Sequence, residues 1–180
     1  MLKIEPPIDT IENIFKEWES MLGTDFQAYK NHVYRVFYFS VVLAIPSESD
    51  KEKLAIAACF HDIGIWRNKT FDYLDPSIAA VNEYLESIGR AGWQEEINLI
   101  INYHHKLTRV KGSEFPLVEA FRKADWIDVT KGRRAFGVQR KVVQLILKSF
   151  PNKGFHKRLV SLTAKEFIRH PLNPLPMMKL

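Results

Sequence analysis

The chain has 180 residues, of which 46% are hydrophobic and 26% charged, and a formal net charge of +5. That length suits one domain with a sizeable core, and the composition is that of a globular protein rather than a disordered or fibrous one. The single cysteine, Cys59, excludes an internal disulfide framework and a cysteine-rich zinc site.

Helical spacing begins with Ile11, Ile14, Phe15, Trp18, Met21 and Leu22. Thr10 is the expected cap there and Gly23 the stop. Asp25 is placed to cap a second helix reaching about Ile45, where Pro46 ends it. Its stripe carries Tyr29, His32, Val33, Val36, Phe37 and Ser40. Ser49 with Glu52 has the spacing of a capping box for a third helix. Leu54, Ala57, Ala58 and His61 share one of its faces. Asp75-Pro76 predicts a cap followed by proline at the first helical position, and that helix runs through Ile78, Val81 and Leu85 to Gly89. A fifth spans Trp93 to about Lys106, with Ile97, Ile100, Ile101 and His104 in line. Pro116 opens a sixth, carrying Ala120, Phe121, Ala124, Asp125 and Asp128. A seventh covers about 135–150 and an eighth about 154–170. The tail, residues 171–180, is too rich in proline for a regular helix and is expected to lie extended over the surface. No strand alternation, repeat or linker appears. The expectation is an all-α, compact multi-helix bundle forming a single domain over 1–180.

The stretch AIAACFHDIGIW, residues 55–66, carries the chemistry. A run of small apolar residues belongs to a buried helix, yet it ends in His61 and Asp62. A buried imidazole and carboxylate are costly unless something pairs with them. A lone His-Asp pair is weak evidence, because a frayed helix end making local hydrogen bonds would also produce it. Its company changes the balance. His32 lies on the apolar stripe of the second helix, and Asp125 on the apolar face of the sixth. Three helices thus each direct a metal-competent side chain toward the interior. Two imidazoles and two carboxylates suit Mn, Fe, Co, Ni or Zn better than calcium.

The order His32, His61-Asp62, Asp125 resembles the signature of the HD superfamily of metal-dependent phosphohydrolases. His32-Val33-Tyr34-Arg35-Val36 is similar to its first motif, Cys59-Phe60-His61-Asp62-Ile63-Gly64 to its central one, and Ala124-Asp125-Trp126-Ile127-Asp128 to its last. The motif region spans about 25–135. The resemblance implies a helical fold, one divalent metal ion bound by His32, His61, Asp62 and Asp125, and hydrolysis of phosphate esters or anhydrides. The chain departs from several nucleotide-hydrolysing members in having Ile63-Gly64-Ile65-Trp66, without acids, after the dyad. It departs from two-metal members in having no histidine between Asp62 and His104. A single metal is therefore expected, and only His104 and His105 could serve a second.

Within such a site Asp62 would bind metal and orient water. Asp128, one turn past Asp125, would accept a proton or hold the Asp125 surroundings, or else pair with Lys131 at the surface. Of His104 and His105, one is expected buried and bonded to a carbonyl. The other would bind phosphate or protonate the leaving group, and His105 is assigned there. Arg35, Lys106, Arg109 and the basic loop from Lys131 to Arg134, with Arg133 and Arg134, are the candidates to bind substrate phosphate. Each has a plainer alternative in an ion pair, a helix C-terminus or solvent. His156 and His170 are expected to be structural or exposed, and Trp66 and Trp126 to line a pocket.

No apolar run reaches the ~18 residues of a membrane span, and the first residues lack the apolar core of a signal peptide. With one cysteine, a cytoplasmic setting is expected. The partner is a small phosphorylated metabolite, nucleotides included. Nucleic acid is a less favoured partner, because the basic runs are short and no recognition motif accompanies them. The main alternative to an enzyme is a metal-containing binding or regulatory module with reduced activity.

Overall fold

The computed structural model describes residues 4–5, 7–112 and 114–178. They form nine α-helices and no strand: α1 (Asp9–Leu22), α2 (Phe26–Ala44), α3 (Glu48–Phe60), α4 (Gly64–Arg67), α5 (Leu74–Ser87), α6 (Gln94–Tyr103), α7 (Pro116–Val129), α8 (Arg140–Ser149) and α9 (Phe155–Arg169). Short 3-10 turns at Gly23–Asp25 and Ala91–Trp93 lead into α2 and α6. No described helix is long and apolar enough to cross a membrane.

The α2 helix lies at the centre. Its middle, from Ala28 to Ser40, is almost entirely buried, as expected of a helix apolar on all sides. It packs most extensively against α7, and also against α3, α1, α8 and α9. The last turns of α3, Ala55 to Phe60, are wholly buried. Alanines there let α3 lie close to its neighbours, which brings His61 and Asp62 at its end deep into the bundle. Ile45 closes α2 in the left-handed conformation, at φ 50°, and Pro46 then prevents continuation.

Several helix starts differ from those expected. Ser47, not Ser49, caps α3, its Oγ accepting from the Asp50 N–H at 3.2 Å. Ser47 has the extended backbone a cap requires, and Ser49 already lies inside the helix. Thr10 falls inside α1, which starts at Asp9. Asp25 makes no cap; its carboxylate accepts from Trp66 Nε1 at 3.0 Å and pairs with Arg158. Leu74 precedes Asp75-Pro76 in α5, so the proline sits within the first turn rather than at its first position. α8 begins only at Arg140, after a turn through Phe136 and Gly137, both at positive φ.

Gly64 begins α4 where that helix crosses the entry to α5. A Cβ there would lie 2.6 Å from the Tyr73 carbonyl oxygen and 2.9 Å from Pro76 Cβ. Only glycine permits this approach, and the Gly64 N–H donates to Ser77 Oγ at 3.0 Å across the same crossing. The tail folds back without helix, and Met177 is buried. Residues 179–180 of the expected extended segment lie outside the described residues.

Candidate metal centre

α2 and α7 face each other with matched spacing. His32 and Arg35 stand one turn apart on α2, and Asp125 and Asp128 one turn apart on α7. All four are buried. The end of α3 adds His61 and Asp62, and the residues after α6 add His104 and His105.

Three imidazoles are oriented alike. His61 Nδ1 lies 2.8 Å from the Ala58 carbonyl oxygen and His104 Nδ1 2.6 Å from that of Ile101. His32 Nδ1 lies 2.6 Å from Asp128 Oδ2. A carbonyl or carboxylate oxygen only accepts, so each Nδ1 carries a proton and donates it outward. Each Nε2 is thereby aimed at the centre, the arrangement by which outer partners orient metal-ligating histidines.

The centre has an excess of acceptors. His32 Nε2 and His61 Nε2 face each other at 3.0 Å. Asp62 Oδ2 lies 3.3 Å from His61 Nε2 and 3.6 Å from His32 Nε2, and Asp125 Oδ1 lies 3.7 Å from His32 Nε2. Asp62 Oδ1, Asp125 Oδ1 and His104 Nε2 are buried without a hydrogen-bond partner. Such orphaned atoms cost about 1–3 kcal/mol each. Two facing nitrogen lone pairs repel unless a proton or a cation lies between them. Without a cation the protein supplies a proton: burial opposes it, but Asp128 and Asp62 outweigh burial and raise the His32 pKa to about 9. Burial raises Asp125 to about 7, against the pull of His104 and His32. Burial lowers His61 to about 3. Orphaned carboxylate oxygens and converging Nε2 atoms fit a divalent cation. His32, His61 and Asp62 form one group able to hold it, and Asp62, His104 and His105 form a second that shares Asp62. Asp125 adjoins both.

Asp128 lies behind this centre. Arg35 grips its carboxylate through Nε and through Nη2 at 2.9 Å, while Nη1 donates to the Phe150 carbonyl oxygen at 2.9 Å. Burial alone would raise the Asp128 pKa, but bonds from His32 and Arg35 prevail and hold it well below the ordinary value. Asp128 thus positions His32, rather than Asp125 or a surface lysine. Arg35, expected as a phosphate clamp, is buried and engaged with Asp128 and the Phe150 carbonyl.

Beside the centre opens a cavity of about 540 Å³, with Asp62, Asp125 and His105 on its wall. His105 Nδ1 lies 3.5 Å from Asp125 Oδ2 and its Nε2 meets the Tyr73 hydroxyl. The other expected phosphate contacts lie elsewhere. Lys106 lines a separate cleft with Tyr103 and Val110, Arg109 is exposed, and so is Arg133. The Arg134 guanidinium lies 5.0 Å from the Trp126 ring centre and 5.4 Å from that of Phe136. Trp126 lines the cavity, whereas Trp66 packs on Tyr29.

Sequence reasoning missed Tyr73 and Phe155 and expected His156 only as structural or exposed. Phe155 stacks on the His32 ring at 4.0 Å, and His156 Nε2 donates to the Asp128 carbonyl oxygen at 3.0 Å. Lys131 and His156 both line the cavity. Of these two, Lys131 is the one the sequence already offers, through its place in the basic run after Asp128.

A family model described as HD domain matches residues 29–147. No curated protein and no solved structure matches the chain.

Proposed function

The chain belongs to the HD-domain family, and from that premise we propose that it is a metal-dependent phosphohydrolase acting on a small phosphorylated metabolite. The observation that carries this is the convergence of His32, His61, Asp62 and Asp125 on one buried centre that opens onto a cavity. These four side chains would hold a divalent cation of the Mn, Fe, Co, Ni or Zn type. When bound, such an ion polarises a phosphoryl oxygen and makes water a nucleophile near neutral pH.

The remaining work falls to the chain. Asp62 has one oxygen toward His32 and His61 and the other toward His104, so it can orient the attacking water while fixed by its neighbours. His105 stands at the cavity wall between Asp125 and the Tyr73 hydroxyl. Burial and the nearby His104 hold its pKa well below the ordinary value, so from there a neutral His105 would hydrogen-bond the phosphate, with Tyr73 fixing its ring. Arg35 and Asp128 keep the His32 ring in place. Phe155 covers that ring and keeps water from its face.

The test is elemental analysis of protein purified without added metal, followed by a phosphate-ester panel with that metal restored. Turnover that disappears on chelation and returns on reloading is the expected result. Bound metal with no turnover of any phosphate would favour the alternative, a metal-containing binding or regulatory module.

A further inference from the structure

The cavity beside the centre is larger and more apolar than phosphate alone requires. Trp126 and Val129 of α7, Phe71, Leu159 of α9, and Leu175 and Met177 of the tail are among its walls. Its volume of about 540 Å³ is that of a small-molecule site. The polar groups along it are nearly all committed. Asp62, Asp125 and His105 belong to the centre. Tyr73 meets His105, and His156 donates to the Asp128 carbonyl oxygen. Among the side chains of the described lining residues only Thr163 is left to hydrogen-bond the body of a ligand, and only Lys131 brings an ammonium or guanidinium.

Lys131 is exposed overall, and its backbone is fixed by the turn that ends α7. Its backbone has φ 53°, in the left-handed region that a lysine seldom occupies. Its N–H donates to the Asp128 carbonyl oxygen at 2.8 Å, and the Gly132 N–H donates to that of Ile127 at 2.7 Å. Gly132, at φ 78°, lies so close to α8 that a Cβ would come within 2.5 Å of Val143 Cγ1. The turn is pinned from both sides, and the lysine follows directly after the helix that carries Asp125 and Asp128.

We propose that the substrate is a phosphomonoester of an apolar alcohol, with its phosphate between the metal centre and Lys131 and its hydrocarbon body against α7, α9 and the tail. This rests on the phosphohydrolase reading above and narrows it. A nucleobase or a sugar would bury several donors and acceptors against walls that offer one hydroxyl, and unpaired buried polar groups are what such sites reject. A hydrocarbon body loses nothing there and gains its transfer from water.

The experiment uses the full chain, loaded in turn with Mn, Fe, Co, Ni and Zn. Efficiency, kcat/KM, is measured for n-alkyl phosphates of increasing length, for phenyl phosphate, for AMP and for glucose 6-phosphate. The expected result is a rise of about fourfold per added methylene until the cavity is full, with phenyl phosphate ahead of AMP and glucose 6-phosphate. A flat alkyl series, with AMP or the sugar phosphate preferred, overturns the inference and leaves the phosphohydrolase reading standing. If no phosphate is turned over with any metal, that reading fails. The ligand class is then decided by calorimetric titration with n-alkylphosphonates, which need no turnover. Affinity that climbs with chain length and is lost in Leu159→Asp supports the class, and affinity indifferent to length overturns it. Leu159 is half-buried, so this variant should fold. Lys131→Met should weaken the phosphonates about tenfold while leaving the matching uncharged alcohols unchanged, and Lys131→Arg should restore part of the loss. Equal weakening of alcohols and phosphonates would remove Lys131 from phosphate binding.

Discussion

His32 Nδ1 lies 2.6 Å from Asp128 Oδ2, and Arg35 Nη2 donates to the same oxygen at 2.9 Å. The result is a buried Arg-Asp-His chain joining α2 to α7, with its free end, His32 Nε2, in the metal centre. Asp128 therefore has two duties, structural toward Arg35 and orienting toward His32, and these can be separated.

Asp128→Asn leaves Arg35 charged and without a full partner in the interior. Breaking a buried pair at one end costs about 3–5 kcal/mol, to be read in urea denaturation. The same change weakens the hold on the His32 ring, and loss of such an outer partner lowers metal affinity about 10–100-fold. The double variant Arg35→Met, Asp128→Leu restores an apolar, uncharged contact. It should regain most of the stability and none of the metal affinity. If affinity returns with stability, Asp128 does not orient His32.

Asp125→Ala removes a carboxylate of the proposed ligand set and is expected to abolish metal retention through gel filtration. A chelator should lower the Tm of the unaltered chain, because a ligand at ~1,000 times its Kd stabilises by about 4 kcal/mol. Elemental analysis is expected to give one tightly held ion per chain. Two at full occupancy would bring His104 and His105, the second group sharing Asp62, into the ligand set.

Protons and metal compete at this centre, and the sign of the competition follows. Without a cation His32 is raised to about 9 and Asp125 to about 7. Both folded values lie above the unfolded ones. The stabilisation each contributes is present at low pH and fades as pH rises through about 7 for Asp125 and about 9 for His32. Metal must displace these same protons. The gap in Tm between loaded and chelated protein should therefore widen from pH 6 to about 9 and then level off. A gap independent of pH would mean that neither group loses a proton to metal.

Gly64→Ala tests the crossing that brings Tyr73 to His105. The new Cβ would lie 2.6 Å from a backbone oxygen, which cannot rotate away as a side chain can. Overpacking of this kind costs about 1–3 kcal/mol. Chemical denaturation should show that loss. Gly92→Ala, with nothing within 4 Å, should not.

The helical architecture was legible because periodicity reports burial, and most of this fold is buried helix. His32, His61, Asp62 and Asp125 stood out because each is a polar residue on an apolar face, which is visible one helix at a time. What helical spacing cannot show is which partner a long side chain finds. Arg35 fits a phosphate clamp on spacing alone, yet its guanidinium reaches across to Asp128 and the Phe150 carbonyl. Tyr73 reaches the cavity from a loop, to which hydrophobic periodicity is blind, and His156 stands in the first turn of α9, where spacing does not show that its ring meets the Asp128 carbonyl. Ser49 has the capping-box spacing with Glu52, yet Ser47 has the same spacing with Asp50, and only backbone conformation separates them.

The arginines after α7 give the last test. By sequence, Arg133 and Arg134 both follow Asp128 closely enough to meet a phosphate. In the fold neither arginine lines the cavity: Arg133 is exposed, and Arg134 lies over the rings of Trp126 and Phe136. A guanidinium over an aromatic face at an exposed site contributes about 0.5–1 kcal/mol. Arg134→Ala should lower stability by about that much and change kcat/KM less than threefold, a small residue through the freed Trp126 ring. Arg133→Ala should change neither. Metal content is measured alongside in both variants. If either lowers kcat/KM tenfold or more with metal unchanged, that arginine contacts the phosphate. The basic turn would then act as a whole, and Lys131 would share the anion with it.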